Sequence, residues 1–431
     1  MLLLFVDILV LIFAYEIAYK IRVSLSGILP LFKEYNFQRY IWIGVLIITL
    51  LLYEGIYFER FDFWRETKQI LKAVFFAFVA VFMILALVKI SYDFSRVFLT
   101  IYFLALMVLL PLSKRIIKRI LFSIDAFKVG CEVVGQDASR EAFLEEIAHN
   151  WYLGLKVVDG KTDVVFIISN GFSPQELNAI IEQKLLETKS VYIVPYLYRF
   201  DFSHTKNVDF FNLRASAFHL QNRLLSKKNI VIKELSEKTV GFLIAPIVLI
   251  AHFFIYLAIK IDSGGKVIYK QKRIGKDGRL FSCYKYRTMY EEQDKLLGEY
   301  LLKNPDEIAY YEEYHKYKND PRVTKVGDFL RKTSLDELPQ FFNVLRGDMS
   351  LIGPRPYMPQ EEDAIHKEHK EIIIMVKPGI TGLWQVSGRN NLTFSQRIDM
   401  DVWYIQNWSL WMDFVIFMKT IKVVLSKAGA R

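Results

Sequence analysis

The 431-residue chain is 53% hydrophobic and 15% aromatic, and its 56 Lys and Arg against 46 Asp and Glu give a formal net charge of +10. It is too apolar for a soluble protein with ordinary loops, and the positive excess suits nucleic acid, anionic lipid or a phosphorylated substrate. Basic residues bracket apolar segments and there is no zinc-ligand spacing or RNA-binding motif, so lipid and phosphate are expected and nucleic acid is not; the two cysteines, Cys131 and Cys283, lie far apart and suit a reducing cytoplasm better than a disulfide.

Four apolar segments come first, at residues 2–19, 41–58, 70–90 and 97–112. Each is near the ~20 residues that cross hydrocarbon as a helix. The first lacks the basic n-region and small-residue cleavage site of a signal peptide and reads as a span. Lys114, Arg115, Lys118 and Arg119 follow the fourth span and place that end in the cytoplasm; four spans then return the N-terminus to the same side. Lys20, Arg22, Lys33 and Arg39 run against this rule, because their loop falls on the opposite side.

Residues 121–228 change character. Strand-like runs at 129–134, 164–168 and 191–194 alternate with helix-like runs at 140–150 and 174–188. The segment DVVFIIS (163–169) has the look of a buried parallel strand, so a small Rossmann-like α/β domain is expected. Its first strand runs into VGQDAS, with one glycine where a pyrophosphate-cradling turn needs G-x-G-x-x-G. A scaffold or regulatory role is therefore expected rather than cofactor binding.

A fifth apolar segment, 240–259, opens the last region, 229–431. Lys227, Lys228, Lys233 and Lys238 precede it and Lys260, Lys266 and Lys270 follow. Basic flanks on both sides favour both ends on the cytoplasmic face. Pro246 inside the segment removes a backbone hydrogen bond and bends a helix. A bent, re-entrant helix that enters and leaves one leaflet satisfies both facts, and a full crossing is the alternative.

The stretch DPRVTKVGDFLRKTSLDELPQFFNVLRGDMSLIGPRP (320–356) sets Asp336 and Glu337 among Arg322, Arg331, Arg346 and Arg355. Ser334 with Glu337 three residues on is also the pattern of a helix capping box, in which Asp336 merely complements the helix dipole. Adjacent helical side chains point about 100° apart. Two neighbouring acids therefore cannot address one atom, but they can divide work, one attacking phosphorus and one holding a magnesium ion that bridges phosphate oxygens. Pro354 and Pro356 fix the backbone around Arg355, which can grip phosphate with two hydrogen bonds, although a plain surface turn has the same composition. KPG (377–379) and TGLWQVSGR (381–389) suit a loop folding over a ligand or an ordinary glycine-bearing loop, and KQKRIG (270–275) and YKYRTM (284–289) add basic residues among aromatics or form a solvated charged face. In the tail, Trp403, Tyr404, Trp408, Trp411, Phe414 and Phe417 suit either an interfacial helix or a core.

Taken together, YKQKRIG, YKYRTM, the acid–arginine stretch, KPGITGLWQVSGRN and the proline-broken membrane helix resemble the catalytic domain of bacterial polyprenyl-phosphate sugar-phosphate transferases, the monotopic phosphoglycosyl transferases. The N-terminal spans and α/β domain add a resemblance to the long members, most of all the undecaprenyl-phosphate galactose phosphotransferases, and WSLWMDFVIFMKTIKVVL (408–425) fits that group. The resemblance implies a membrane α + α/β protein with three parts: four transmembrane helices (1–120), a Rossmann-like domain (121–228) and a catalytic domain with a re-entrant helix (229–431). It implies Asp336 as nucleophile, Glu337 as ligand of Mg2+, and Arg331 and Arg355 as phosphate-binding residues, with Lys285, Arg287, Arg322 and Arg389 completing the candidate substrate-binding set. Many members have serine before the helix proline; this chain has Ala245, which keeps the kink but loses a hydroxyl.

The implied reaction moves a hexose 1-phosphate, galactose 1-phosphate as the first expectation and glucose 1-phosphate as the second, from a UDP-sugar to undecaprenyl phosphate. It would take place at the cytoplasmic face of a bacterial inner membrane, in a homodimer, and would start O-antigen, capsule or exopolysaccharide synthesis. A transporter would leave the acid–arginine cluster without use and would need intramembrane charges beyond Asp7 and Glu16; a non-catalytic polysaccharide export or assembly protein is the other alternative.

Overall fold

The computed structural model describes residues 2–29, 37–88, 94–158, 160, 162–195, 206–210, 215–219, 224, 226–291, 293–304, 306–307, 320–387 and 392–426. The chain divides into two compact units, residues 1–197 and 198–431.

In the first unit, helices α1 (Leu2–Ser24), α2 (Ile41–Tyr53), α3 (Phe63–Leu87) and α4 (Arg96–Leu121) form a bundle. Its core takes one stripe from each helix, including Ala14 and Ala18 of α1, Ile43 and Ile47 of α2, Ala73 and Ala77 of α3, and Phe103 and Leu106 of α4. Asp62 caps α3 by accepting from the Trp64 and Arg65 amides, and Ser95 caps α4 by accepting from Phe98. Helices α1 and α4 run antiparallel: Arg22 donates to Ser95 Oγ (3.1 Å) at one end, and Lys114 pairs with Asp7 (2.7 Å) at the other. Arg22, one of the basic residues that ran against the positive-inside pattern, is thus buried against a helix cap, while Lys33 lies outside the described residues.

Among the described residues, four helices are long and apolar enough to cross a membrane: Leu2–Gly27, Phe63–Leu87, Arg96–Leu121 and Lys228–Asp262. The expected second span, 41–58, is shorter than the sequence suggests. Its α-helix has 13 residues, behind a 3-10 turn at Phe37–Tyr40, and is followed by Gly55 in the left-handed region (φ 76°). That is about 20 Å of helix against ~30 Å of hydrocarbon. The apolar run continues past Tyr53 in composition but not in helix, because the left-handed turn at Gly55 ends it.

The α/β part carries a parallel sheet in the order β2 (Leu155–Val157), β1 (Val129–Val134), β3 (Val164–Ile168), β4 (Ser190–Val194), with α5 (Asp137–His149) and α6 (Pro174–Glu187) as crossovers. Within this unit the sheet is fixed to the membrane bundle. Lys118 reaches Glu66 (2.5 Å), Tyr152 donates to the same carboxylate (2.6 Å), and the Lys118 ammonium lies 4.4 Å from the Tyr152 ring centroid. Arg60 donates to the carbonyls of Leu153 (2.7 Å) and Gly154 (2.9 Å). Gly154 has φ +60°, and a Cβ there would lie 2.5 Å from Arg60, so only glycine fits.

The second unit holds the hairpin β5 (Lys206–Phe210)–β6 (Ala215–His219), the 36-residue α7 (Lys227–Asp262) with Pro246 inside, and the hairpin β7 (Ile268–Ile274)–β8 (Leu280–Tyr286). After α8 (Gln293–Lys303) come α9 (Lys325–Thr333) and α10 (Gln340–Arg346), then β9 (Ser350–Ile352) and α11 (Lys367–Ile373). The chain closes with β10 (Gly379–Thr381), paired parallel to β9, and with α12 (Leu383–Ser387), α13 (Phe394–Asn407) and α14 (Leu410–Ser426). One core joins β9, α11, α13 and α14 through Ile352, Ile373, Ile405 and Ile416; a second joins α7 to β8 and α9 through Ile259, Tyr286 and Leu330. The tail aromatics divide between the two readings of the sequence: Tyr404 and Trp408 are core, whereas Phe414 is exposed along one side of α14 with Leu410, Met418 and Ile421.

Two substitutions separate the buried pair from an exposed one. Lys118→Met leaves Glu66 buried without its partner and is expected to cost about 3–5 kcal/mol. Lys72→Met at the Lys72–Glu54 pair, where the lysine is 52% exposed, is expected to cost ~0–1 kcal/mol. Thermal unfolding in detergent reads both, and equal losses would show that the Glu66 site is not holding the unit together.

Candidate active site

The acid pair lies on a single 3-10 turn, Leu335–Glu337, between α9 and α10. Leu335 and Leu338 pack against the core of Ile259, Tyr286 and Leu330, which turns the two acids between them toward the β7–β8 hairpin. Ser334 enters the turn at φ 56°, a left-handed conformation that costs a non-glycine residue energy. It makes no side-chain capping bond, and Glu337 sends its carboxylate to Lys285 (2.7 Å). The capping box that the sequence allows is therefore not formed.

Lys285 stands on β8, and Asn343 of α10 ties that strand to the acid-bearing segment. Its Oδ1 accepts from the Tyr284 amide (3.0 Å), and its Nδ2 donates to the Ser282 carbonyl (2.8 Å). From α9, Arg331 donates to Thr288 Oγ1 (2.9 Å). Gly327 on the same helix abuts the Thr288 backbone, where a Cβ would lie 2.1 Å from the carbonyl oxygen. Burial pushes the Asp336 carboxyl up to about 6, opposed by the positive charges of Lys285 and Arg331 and reinforced by Glu337. A group ionising there is a carboxylate at neutral pH, yet one only weakly stabilised by water.

The Pro354–Arg355–Pro356 turn is held from three directions. Gly353 and Gly379 cross so closely that a Cβ on Gly379 would lie 2.1 Å from the Gly353 nitrogen. Arg273 of β7 donates to the Pro356 carbonyl (3.0 Å). Asp401 of α13, fully buried, accepts from the Arg355 amide (3.1 Å) and from the Tyr357 hydroxyl (2.8 Å). Burial pushes Asp401 up to about 7, and those two hydrogen bonds pull it back. With its backbone fixed, Arg355 lies 5.6 Å from the Trp384 ring centroid, a ring it shares with Arg397 at 5.0 Å. The buried Cys283 thiol, which burial pushes up to about 11, feels Lys285, Arg273, Glu337 and Arg355 together, so the hairpin, the acid turn and the proline turn lie near one another.

The structure thus brings together Asp336, Glu337, Lys285, Arg331 and Arg355. Arg287 is turned to the end of α7, where it donates to the Ser263 carbonyl (2.9 Å) and pairs with Glu291. Arg322 pairs with Asp320 (2.6 Å), and Arg389 lies outside the described residues. Asn343, Asp401 and Arg273 are the additional residues that position this site. Asp401 had a signal in the sequence: it falls on the same helical stripe as Ile398, Val402 and Ile405. Among the described residues no group of three His, Cys, Asp or Glu could hold a metal.

A family model described as bacterial sugar transferase matches residues 228–427. An uncharacterized sugar transferase of Haemophilus influenzae is 33% identical over 408 residues, covering 87% of this chain and 85% of that protein. The undecaprenyl-phosphate galactose phosphotransferase of Salmonella typhimurium is 31% identical over 404 residues, covering 87% and 84%. The UDP-glucose:undecaprenyl-phosphate glucose-1-phosphate transferase of Escherichia coli is 31% identical over 290 residues, covering 65% and 56%.

Asp401→Ala removes the shared acceptor of the Tyr357 hydroxyl and the Arg355 amide. A loss of about 1–3 kcal/mol of stability is expected for these unmet donors, together with a fall in turnover as Arg355 loses its position. Unfolding midpoints measured beside activity test this, and unchanged turnover would remove Asp401 from the site's support.

Proposed function

The chain belongs to the bacterial sugar transferase family, which transfers sugar phosphates, and from that premise we propose that it moves a hexose 1-phosphate from a UDP-sugar to undecaprenyl phosphate through a covalent intermediate on Asp336. The observation that carries the mechanism is the acid turn itself: a half-buried carboxylate raised to about 6, beside Lys285, Glu337 and Arg331. In the first step a carboxylate oxygen of Asp336 attacks the phosphorus that bears the sugar. The bond from that phosphorus to the bridging oxygen breaks, and UMP leaves with the electron pair. In the second step a phosphate oxygen of the lipid attacks the same phosphorus and releases the Asp336 carboxylate. The products are the lipid diphosphate sugar and UMP, with no net proton transfer.

Arg355, rigid between two prolines, and Arg331 suit the phosphate oxygens, whose charge they offset with directed hydrogen bonds. Lys285 holds Glu337 in place and lowers the charge cost of the pair. We assign Glu337 to a magnesium ion, which would offset the negative charge of the diphosphate. Magnesium is commonly held by one or two carboxylates plus substrate phosphates, so a single protein carboxylate beside the nucleophile suits it.

The re-entrant reading of α7 draws support from its partners along the whole helix. Lys233 near its start pairs with Asp413 (2.8 Å), His252 beyond Pro246 meets the Tyr286 hydroxyl (2.6 Å), and Asp262 at its end accepts from the Val326 amide (3.0 Å). All three partners belong to the catalytic unit, which supports the reading that both ends of the helix and the catalytic residues share one face, which we take as the cytoplasmic face of the inner membrane. There the site meets a lipid phosphate at headgroup height. Galactose 1-phosphate is our first reading because the Salmonella relative that carries it aligns over 84% of its length; the Escherichia coli relative favours glucose 1-phosphate as the second. We assign the N-terminal unit, which holds none of these residues, to association as a homodimer. The product would begin a membrane-linked polysaccharide.

Purified protein, offered a panel of UDP-sugars with undecaprenyl phosphate, should release UMP with one hexose preferred, and Asp336→Asn should abolish that release while the protein stays folded. The attacking form is the carboxylate, so kcat/KM should climb as pH rises through about 6 and level off above it; a profile flat from pH 5 to 8 counts against Asp336 as the titrating nucleophile.

A cysteine placed just beyond Lys260 should react only with reagents that reach the cytoplasm. Labelling from outside would make α7 a true crossing.

A further inference from the structure

Helix α7 carries a polar cluster roughly two to four turns before Pro246, on the limb that enters the membrane. Lys233 is buried and pairs with both Asp413 (2.8 Å) and Glu237 (2.9 Å), and it donates to the Tyr404 hydroxyl (3.2 Å). Tyr404 in turn donates to Asp413 (2.6 Å), as does the Trp408 indole (2.9 Å). Glu237 accepts from the buried Ser350 hydroxyl, which also lies 2.9 Å from the Ile352 carbonyl. One turn away Lys377 donates to Glu234 (3.1 Å). Ser350 and Ile352 are β9, the strand that runs directly into the Pro354–Arg355–Pro356 turn.

These bonds join the incoming limb to the base of the phosphate-binding turn. The turn does not need them for its own shape, because Asp401, Arg273 and the Gly353–Gly379 crossing already hold it. What the cluster fixes is the limb. Beyond Pro246 the helix has separate contacts at His252 and Asp262, so loss of the cluster frees only the part of the helix ahead of Pro246.

We propose that Lys233 and Glu237 are positioning residues that register the membrane helix on the phosphate-binding turn, and so set the height at which a lipid phosphate meets the intermediate on Asp336. The assignment rests on the two-step reading above. A soluble UDP-sugar reaches Asp336 whatever the limb does, so the first step is insensitive to the cluster. The lipid phosphate is confined to the membrane surface, so the second step depends on it.

The test uses the full-length protein in vesicles, with Lys233→Met, Glu237→Ala and, as the conservative control, Lys233→Arg. UMP released without acceptor reports the first step; sugar transferred to undecaprenyl phosphate reports the second. Both disruptive variants should keep a UMP burst near that of the unaltered protein while transfer to lipid falls about ten- to a hundredfold, and Lys233→Arg should restore most of the transfer. Parallel loss of both steps would make the cluster merely structural and overturn the assignment, as would undiminished lipid transfer. Should Lys233→Met fail to fold, Glu237→Ala with Ser350→Ala gives the same readout. An unaltered protein that releases no UMP without acceptor overturns the two-step reading itself, and this assignment with it.

Discussion

A carboxylate removed from water must find positive charge or hydrogen-bond donors, and the cost of leaving it without them is large enough to shape a fold. This protein meets that demand in a recurrent way. Asp7 has Lys114 and the Tyr57 hydroxyl, Glu66 has Lys118 and Tyr152, and Asp413 has Lys233 and Tyr404. Each trio gathers side chains from separate segments of the chain. The first pins α1 to α4, the second fixes the sheet to the bundle, and the third ties α7 to the helices that support the proline turn. In each case the tyrosine ring also lies near the lysine ammonium, so the cation meets an aromatic face as well as a carboxylate.

Asp336, the residue proposed above to attack phosphorus, departs from that pattern. Lys285 makes its ion pair with Glu337, not with Asp336, so Asp336 feels the lysine's charge without being locked to it. Strain at Ser334 and close packing at Gly327 hold the turn where a relaxed helix would have carried the two acids away from the hairpin. Asp401 is buried still more completely, and two of the donors that face it, the Arg355 amide and the Tyr357 hydroxyl, lie in or beside the proline turn it supports, so its hydrogen bonds hold Arg355. The two acids thus differ in what their partners are bonded to.

Much of this was legible in the sequence. The acid pair, the proline-bracketed arginine and three of the four N-terminal membrane-length segments are local patterns, visible from neighbouring residues alone. What escaped depends on residues far apart in the chain. Asn343 reads as one polar residue in a short helix, and only the fold sets it against Tyr284 and Ser282. Arg273 looked like part of a basic face until its guanidinium was found beneath Pro356. Helix α2 was overestimated because composition continues past Gly55 while backbone geometry does not. The tail aromatics could not be divided by composition, since an interfacial ring and a core ring are the same residue until packing separates Trp408 from Phe414.

The lysines of α4 are used twice in the life of the chain. Leu99, Phe103, Leu106 and Leu110 form a buried stripe, and Lys114 and Lys118 prolong it. As the helix leaves the ribosome neither lysine has a partner, and both count, with Arg115 and Arg119, among the charges that orient an inserting segment. Once the bundle closes, Asp7 and Glu66 take them up and they cease to act as surface charge. Two of the charges available to orient the segment are thus hidden in the finished molecule, where the Lys114–Asp7 and Lys118–Glu66 pairs are each neutral as a unit.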